Sequence, residues 1–151
     1  MNRNPPSIPA DGCHRYDVRV YYEDTDAGGV AYHASYLRLA ERARTEALRA
    51  AGIPHAELLE RFTLMFVVRR IEVDYLRPAR LDESLTVVTQ PLDVGGATVT
   101  LRQDVRGPDG SCAVLTVRLA CVKPGAGKPG RIPPRWRAVL QDMRDAAHER
   151  G

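Results

Sequence analysis

Residues 16–52 read YDVRVYYEDTDAGGVAYHASYLRLAERARTEALRAAG, and the spacing of their apolar side chains changes near the middle of this stretch. Apolar and polar side chains alternate over residues 15–23, which predicts a half-buried β-strand. Over residues 34–51 the apolar side chains recur every three or four positions, which predicts a long α-helix that ends at Gly52. The intervening residues 24–29 supply Asp, Thr and two glycines and therefore predict a turn.

The apolar face of the predicted helix consists mostly of alanine. It carries Tyr36, Ala40, Ala43, Ala47 and Ala51, with Leu39 and Leu48 at its margins. Small side chains allow a sheet to approach the helix closely, so this face is expected to pack on the strands. The opposite face is charged and is expected to be solvated; it carries Arg38, Glu41, Arg42 and Arg49.

The remainder of the chain is rich in predicted strands. Alternating segments predict strands over residues 66–75, 85–89, 97–105 and 112–122. The tetrapeptide Gly107-Pro108-Asp109-Gly110 is typical of a hairpin turn. Because short connections join the later strands, they are expected to be antiparallel. A strand, a helix and then four strands predict an α+β domain in which a curved antiparallel sheet wraps around one long helix.

The predicted organisation is one domain with two flanking segments. Residues 1–12 are rich in proline and predict a disordered lead-in, and residues 13–123 form the folded domain. Residues 124–151 are expected to form a Gly/Pro-rich linker followed by a C-terminal helix. Within the domain, residues 55–61 predict a second, short helix. A sheet that covers its helix on one side leaves its edges open, and dimerisation would close them.

Composition argues against several classes of protein. A chain of 151 residues with 44% apolar and 27% charged residues has the profile of one globular domain. The net charge of +3 is small for a nucleic-acid-binding protein. Three cysteines without Cys-x-x-Cys or Cys/His ligand spacing favour neither a disulfide framework nor a zinc site. An apolar run of about 18 residues and a signal-peptide h-region are both lacking, which predicts a cytoplasmic protein without stable membrane insertion.

The strand-to-helix junction is the segment best suited to chemistry. Unpartnered N–H groups and the positive end of the dipole lie at the start of a helix, where they can stabilise a developing oxyanion. Gly28 and Gly29 allow a ligand to approach the backbone closely. Asp26 supplies a carboxylate that can activate water or attack a carbonyl directly. On the residues alone, a turn-forming or helix-capping role for Asp26 stays open.

The segment from Tyr21 to Arg44 carries an aromatic, Thr-Asp, Gly-Val, Tyr-His and Glu-Arg-Ala-Arg pattern, and DYLRPA follows at residues 74–79. This pattern resembles the hotdog-fold acyl-CoA thioesterases related to 4-hydroxybenzoyl-CoA thioesterases, in particular the branch encoded with the Tol-Pal envelope system. The resemblance spans about residues 14–123. It implies a hotdog fold of order β-α-β-β-β-β and homodimers that pair into homotetramers, with active sites at the dimer interface. It also implies an acyl-CoA substrate and neither a metal nor another cofactor.

The resemblance assigns roles to single residues as well. Asp26 matches the family's catalytic aspartate, acting as a general base or as a nucleophile. His33 stands at the helix start, where the family's backbone N–H polarises the thioester carbonyl. The positions that match substrate-binding ones are Tyr22, Gly28, Gly29, Val30 and Tyr32.

Other residues compete for these roles. Asp24 lies two residues from Asp26 and is expected to bond within the turn. Glu41 stands on the long helix, where some hotdog thioesterases place their acid, although the helical pattern puts it near the edge of the polar face, where a solvated charge is expected. The arginines that could contact CoA phosphates are Arg69, Arg70, Arg77 and Arg80.

Two other functions fit the same resemblance. One is a non-hydrolytic hotdog protein that binds acyl-CoA or acyl carrier protein. The other is a hotdog dehydratase or hydratase that pairs His33 with Asp26. Release of free thiol separates hydrolysis from both. Acyl carrier protein is therefore a candidate partner, whereas no nucleic-acid partner is expected.

Overall fold

The computed structural model describes residues 9–125 and 127–150 of the chain. A short 3₁₀ helix spans Tyr22–Asp24, between the first strand and the first α-helix. The other elements, in chain order, are β1 (His14–Arg19), α1 (Ser35–Ala50), α2 (His55–Phe62), β2 (Met65–Tyr75), β3 (Ser84–Val94), β4 (Thr98–Gly107), β5 (Gly110–Val122) and α3 (Pro134–Arg150). The predicted order of one strand, a long helix and four strands is confirmed.

The five strands form one antiparallel sheet in the order β1-β3-β4-β5-β2. The predicted hairpin between β4 and β5 is confirmed, with Gly107 opposite Gly110. β1 and β2 form the two edges of the sheet, because each pairs with only one other strand. This strand order confirms the predicted α+β domain with a hotdog fold.

The alanine-rich face of α1 packs against the sheet, mainly on β1 and β3. Every residue predicted for that face is buried: Tyr36, Leu39, Ala40, Ala43, Ala47, Leu48 and Ala51. Leu39 alone, with 1% of its surface exposed, contributes about 2 kcal/mol through burial. α1 lies over the side of the sheet that β1 and β3 form. The other edge strand, β2, is contacted instead by α2.

The C-terminal helix α3 completes the core by packing on β3. Trp136, Leu140 and Met143 are buried in the same hydrophobic cluster as Leu39. The ring of Phe62 meets Trp136 edge-on, with 5.3 Å between the ring centroids. No helix in the described ranges is both long enough and apolar enough to cross a bilayer.

The N-terminal segment is partly tied to this core. Residues 1–8 of the predicted lead-in lie outside the described residues. In the described remainder, the Gly12 N–H donates to the Pro9 carbonyl over 2.9 Å. Gly12 has φ of +70°, and a Cβ there would stand 2.1 Å from the carbonyl oxygen of Met143. The chain therefore needs glycine at this close approach to α3.

Two strand ends differ from the prediction by four or more residues. β1 ends at Arg19 instead of residue 23, so Tyr22 lies outside the strand and is 82% exposed. The cause is local, because the Asp24 carboxylate and the Asp24 N–H both bond to the backbone of Tyr21 and close a turn. β3 continues beyond residue 89 to Val94 through an irregularity in register between Pro91 and Asp93, which accommodates the proline in the strand.

Candidate active site

The loop between the 3₁₀ helix and α1 is closed by its own backbone. Thr25 and Ala31 form an isolated antiparallel bridge. Inside it, the Asp26 N–H donates to the Val30 carbonyl over 2.9 Å, and the Gly29 N–H donates to the Asp26 carbonyl over 3.1 Å. Gly29 has φ of +76°, a conformation that costs other residues about 1–2 kcal/mol. The loop is therefore a defined turn.

The same loop is anchored to the segment that follows β2. The Ala31 N–H donates to the Ala79 carbonyl over 2.7 Å, and the Leu81 N–H donates to the Gly29 carbonyl over 3.1 Å. Val30 pairs with Arg80 between these two bonds. This short ladder fixes the loop on a part of the chain about 50 residues away in sequence.

The carboxylate of Asp26 lies at the exposed tip of this loop. Its Oδ1 atom accepts a hydrogen bond from the Gly28 N–H over 2.8 Å. Its Oδ2 atom accepts no hydrogen bond from any residue of the described ranges. One carboxylate oxygen is thus held by the backbone and the other faces solvent.

Asp24 has a different, structural role, as the turn chemistry predicts. Its Oδ2 atom accepts from the Tyr21 N–H over 2.9 Å. Its backbone carbonyl accepts from the Tyr32 N–H over 2.8 Å and from the Ser35 hydroxyl over 2.9 Å. Asp24 therefore ties the beginning of the loop to the beginning of α1.

The peptide of His33 stands just before the first residue of α1. Within residues 9–125 and 127–150, its N–H donates to no backbone or side-chain acceptor. Among the described residues the Ala34 N–H also lacks an acceptor, whereas the Ser35 N–H donates to the Tyr32 carbonyl over 2.8 Å. The N-terminus of the sixteen-residue α1 adds the positive end of its dipole. An oxyanion at this position would meet an unused donor.

The predicted substrate-binding residues fall into two groups. Gly28, Gly29 and Val30 form the loop beside the Asp26 carboxylate. Tyr32 is half-exposed, and its ring packs against the His33 ring at a tilt of 35°, with 4.3 Å between centroids. Tyr22 is separate from both, because its ring points into solvent and only its backbone carbonyl reaches the loop, accepting from Thr25. Across the described residues, Asp26 and the His33 ring share no hydrogen bond.

Two tyrosines that the sequence pattern did not assign to the site, Tyr75 and Tyr36, form hydrogen bonds with the backbone beside it. The Tyr75 hydroxyl donates to the His33 carbonyl over 3.1 Å. The buried Tyr36 hydroxyl accepts from the Ala79 N–H over 3.0 Å, and burial raises the pKa of this phenol. The two rings meet edge-on with 5.7 Å between centroids. The DYLRPA segment that carries Tyr75 and Ala79 was the available sequence signal.

The arrangement combines an exposed carboxylate with an unused N–H at a helix start. A carboxylate can take a proton from water or attack an acyl carbon, and the N–H can stabilise the oxyanion that either attack produces. In the described part of the chain, no three or more His, Cys, Asp or Glu side chains are grouped so that they could hold a metal ion.

Comparisons with known proteins agree with this chemistry. The family model described as thioesterase superfamily matches residues 28–114. The chain is 42% identical over 134 residues to the acyl-CoA thioesterase YbgC of Haemophilus influenzae, covering 89% of this chain and 98% of that protein. It is also 42% identical over 120 residues to the acyl-CoA thioester hydrolase YbgC of Escherichia coli O157:H7, covering 79% and 89% of the two chains.

Solved structures share the fold. A probable thioesterase from Bartonella henselae superposes with a TM-score of 0.76 at 36% identity, covering 80% of this chain and 99% of that one. A DHNA-CoA thioesterase from Staphylococcus aureus superposes with a TM-score of 0.83, covering 92% and 95% of the two chains. At 21% identity, this second likeness concerns the fold alone.

Proposed function

The chain belongs to the thioesterase superfamily, and from this premise we propose that it hydrolyses an acyl-CoA thioester to a carboxylic acid and free CoA. The observation that carries the proposal is the free His33 N–H at the start of α1, on the same closed loop-and-helix unit as the Asp26 carboxylate. The names of the relatives at 42% identity supply the substrate class.

The proposed reaction begins with the acyl carbonyl oxygen accepting a hydrogen bond from the His33 N–H. Asp26 takes a proton from water, and the resulting hydroxide adds to the carbonyl carbon. The oxyanion of the tetrahedral intermediate is stabilised by the same N–H and by the dipole of α1. When the intermediate collapses, the carbon–sulfur bond breaks and the CoA thiolate takes up a proton.

A second route uses the same atoms in another order. The Asp26 carboxylate attacks the acyl carbon and expels CoA, and water then hydrolyses the mixed anhydride. A single turnover in heavy-oxygen water identifies the anhydride route if the first acid released carries no heavy oxygen. Water attack puts the heavy oxygen into the first acid released. Anhydride formation followed by water attack on the Asp26 carboxyl carbon leaves that acid unlabelled.

Release of free thiol from a panel of short, long and aromatic acyl-CoAs tests the proposed function. We expect the purified protein to release CoA and an equal amount of acid from at least one member. Tight binding without release would instead favour the non-hydrolytic acyl-CoA-binding alternative. Formation or loss of a conjugated double bond without thiol release would favour the dehydratase alternative.

We further propose that the active molecule is a homodimer joined through β2, and that two dimers form a homotetramer. β2 is an edge strand of 11 residues, and long exposed edges favour pairing with another chain. It also carries exposed apolar side chains, namely Met65, Val68 and Tyr75. Sedimentation equilibrium measures the mass directly, and a monomer at micromolar concentration would contradict this part of the proposal.

Other expectations from the sequence and from the resemblance stay predictions. They are a cytoplasmic location, an association with the Tol-Pal envelope system and the use of acyl groups carried on acyl carrier protein. Cell fractionation tests the first, and co-purification with tagged Tol-Pal components tests the second. Thiol release from acylated carrier protein, compared with the matching acyl-CoA, tests the third.

A further inference from the structure

Arg44 is a buried cation that forms no salt bridge within the described residues. It lies in the third turn of α1 and has 8% of its surface exposed. Burying an unpaired charge is costly, and burial lowers the pKa of this guanidinium. We therefore expect a hydrogen-bond acceptor beside the guanidinium of Arg44.

Within the described residues, the guanidinium of Arg44 forms one long hydrogen bond. One guanidinium N–H donates to the Gln103 amide oxygen over 3.4 Å, a long bond for this pair. Gln103 is itself fixed, because its amide nitrogen donates to the Ala40 carbonyl over 2.8 Å and to the Thr89 hydroxyl over 2.9 Å. A guanidinium has five N–H donors, so most of the donors of Arg44 remain unused.

Arg44 is one of the residues that line a cavity of about 530 Å³ between α1, α2 and the beginning of β2. The walls are largely apolar and include Leu59, Phe66 and Leu119, and His55 packs edge-on against Phe66. Glu41 lines the same cavity one turn before Arg44, yet the two side chains form no salt bridge. The cavity is thus a largely apolar space with a charged donor, Arg44, and a charged acceptor, Glu41, on its helical wall. Thr45 on α1 and His55 at the start of α2 add neutral polar groups.

The cavity and the candidate active site lie along the same two elements. On α1, residues 37, 41 and 44 form one stripe, because side chains three and four positions apart share a face. This stripe begins beside His33 and ends at Arg44, a distance of about 16 Å along the helix. β2 likewise runs from the cavity, at Phe66, to Tyr75, whose hydroxyl bonds to the His33 carbonyl. α1 and β2 thus connect the proposed reaction centre to the cavity.

From this geometry we propose that Arg44 is a specificity-determining residue that binds an oxygen atom at the distal end of the acyl group. The inference rests on the proposed thioesterase function. Hydrolysis occurs at the site of Asp26 and the His33 N–H, the apolar body of the acyl group runs along α1 past Leu37, and its end enters the largely apolar cavity. The group that fits there is a hydroxyl, since it can accept from Arg44 and donate to Glu41. A carboxylate is disfavoured because Glu41 repels it.

The test compares acyl-CoAs that differ only in a terminal hydroxyl. Butanoyl-, hexanoyl-, octanoyl- and decanoyl-CoA are each assayed with and without that group, using the wild-type protein, Arg44→Met and Arg44→Lys. We expect the wild type to prefer the hydroxylated member by about tenfold in kcat/KM at the chain length that reaches Arg44. Arg44→Met is expected to lose this preference and to retain activity on the plain acyl-CoA, and Arg44→Lys is expected to keep part of it.

The matched control is Arg49→Met, which removes an exposed arginine from the same helix. It should leave the hydroxyl preference unchanged. Equal preference in the wild type and Arg44→Met would overturn the inference, and so would a change in the mass of the assembly in Arg44→Met, because the guanidinium would then serve a contact between copies. Since an apolar side chain in place of an unpaired buried charge is often neutral or stabilising, Arg44→Met is expected to fold.

A binding measurement separates failure of this inference from failure of the proposed function. Calorimetric titration of Asp26→Asn with the same pairs reports the hydroxyl preference without turnover. If no acyl-CoA is hydrolysed but the hydroxylated member still binds more tightly through Arg44, the function fails and the inference about recognition stands. If plain acyl-CoAs are hydrolysed and neither assay shows a preference, the function stands and the inference fails.

Discussion

The hydroxyl of Tyr75, at the end of β2, donates a hydrogen bond to the backbone carbonyl of His33 over 3.1 Å, across 42 positions of sequence. The bond holds the carbonyl of the His33–Ala34 peptide unit, which directly follows the Tyr32–His33 unit that carries the His33 N–H. Since the N–H of the same residue is the proposed oxyanion donor, Tyr75 is a positioning residue for the reaction. Its ring also contacts the ring of His33, with 6.1 Å between centroids.

Tyr75→Phe should therefore lower kcat clearly while changing the free energy of unfolding only a little. We expect kcat to fall about tenfold because the donor is less well placed, while the free energy of unfolding falls by about 1 kcal/mol or less. Tyr36→Phe is the contrasting variant. It leaves the buried Ala79 N–H without its acceptor and should cost about 1–3 kcal/mol of stability. Thiol-release kinetics and urea unfolding distinguish the two; equal kcat in Tyr75→Phe and the wild type would remove Tyr75 from the mechanism.

Asp26→Asn should abolish most activity and leave the fold intact. Asn retains an oxygen that can accept from the Gly28 N–H but can neither take up a proton nor form an anhydride. We expect kcat to fall about 10²–10⁴-fold. Asp24→Asn is the matched control, since Asn can still accept from the Tyr21 N–H and should keep activity within about tenfold. The reverse result, with Asp24→Asn inactive and Asp26→Asn active, would exchange the two assignments.

The two glycines of the loop should respond differently to alanine. A Cβ on Gly29 meets no atom within 4 Å, but the positive φ makes Gly29→Ala strained by about 1–2 kcal/mol. A Cβ on Gly28 would stand 3.3 Å from Oδ1 of Asp26, so Gly28→Ala should shift the carboxylate. We expect Gly29→Ala to lower the melting temperature and Gly28→Ala mainly to lower kcat. Thermal melts and thiol release on both variants check this, and identical effects would contradict it.

Stability should fall as the solution becomes mildly acidic. Burial lowers the pKa of His55 below its ordinary value of 6.5, and the nearby charges of Arg44 and Arg49 act in the same direction. Burial also lowers the pKa of His14. In the window from pH 6.5 down to these lowered values, the unfolded chain binds more protons than the folded chain, so the free energy of unfolding decreases as pH falls.

His55→Gln should flatten this dependence, since glutamine does not titrate. We expect the loss of stability between about pH 7 and pH 5 to be smaller in His55→Gln than in the wild type. Urea unfolding across this range measures it. His148→Gln, on the exposed side of α3, serves as the control. A pH dependence unchanged by His55→Gln would show that other groups cause it.

The sequence by itself determined the elements and their order. Local periodicity fixes which residues of α1 and of the strands face the core, because burial of apolar surface selects one face of each element. The hairpin between β4 and β5 is likewise encoded locally, in the Gly107-Pro108-Asp109-Gly110 turn. Asp26 could be chosen over Asp24 only through the resemblance, since both are turn aspartates.

Tertiary structure alone decided how distant side chains meet. Periodicity cannot show that Tyr75 supports the His33 peptide, or that Arg44 contacts Gln103 across 59 positions of sequence. The same limit explains the wrong strand end near Tyr22. The alternating pattern extends the predicted strand through this residue, but the hydrogen bond from the Tyr21 N–H to the Asp24 carboxylate closes a turn there. The spacing of apolar residues indicates which side chains of one helix or strand face the core. Hydrogen-bond partners and cavities depend instead on which elements the fold brings together.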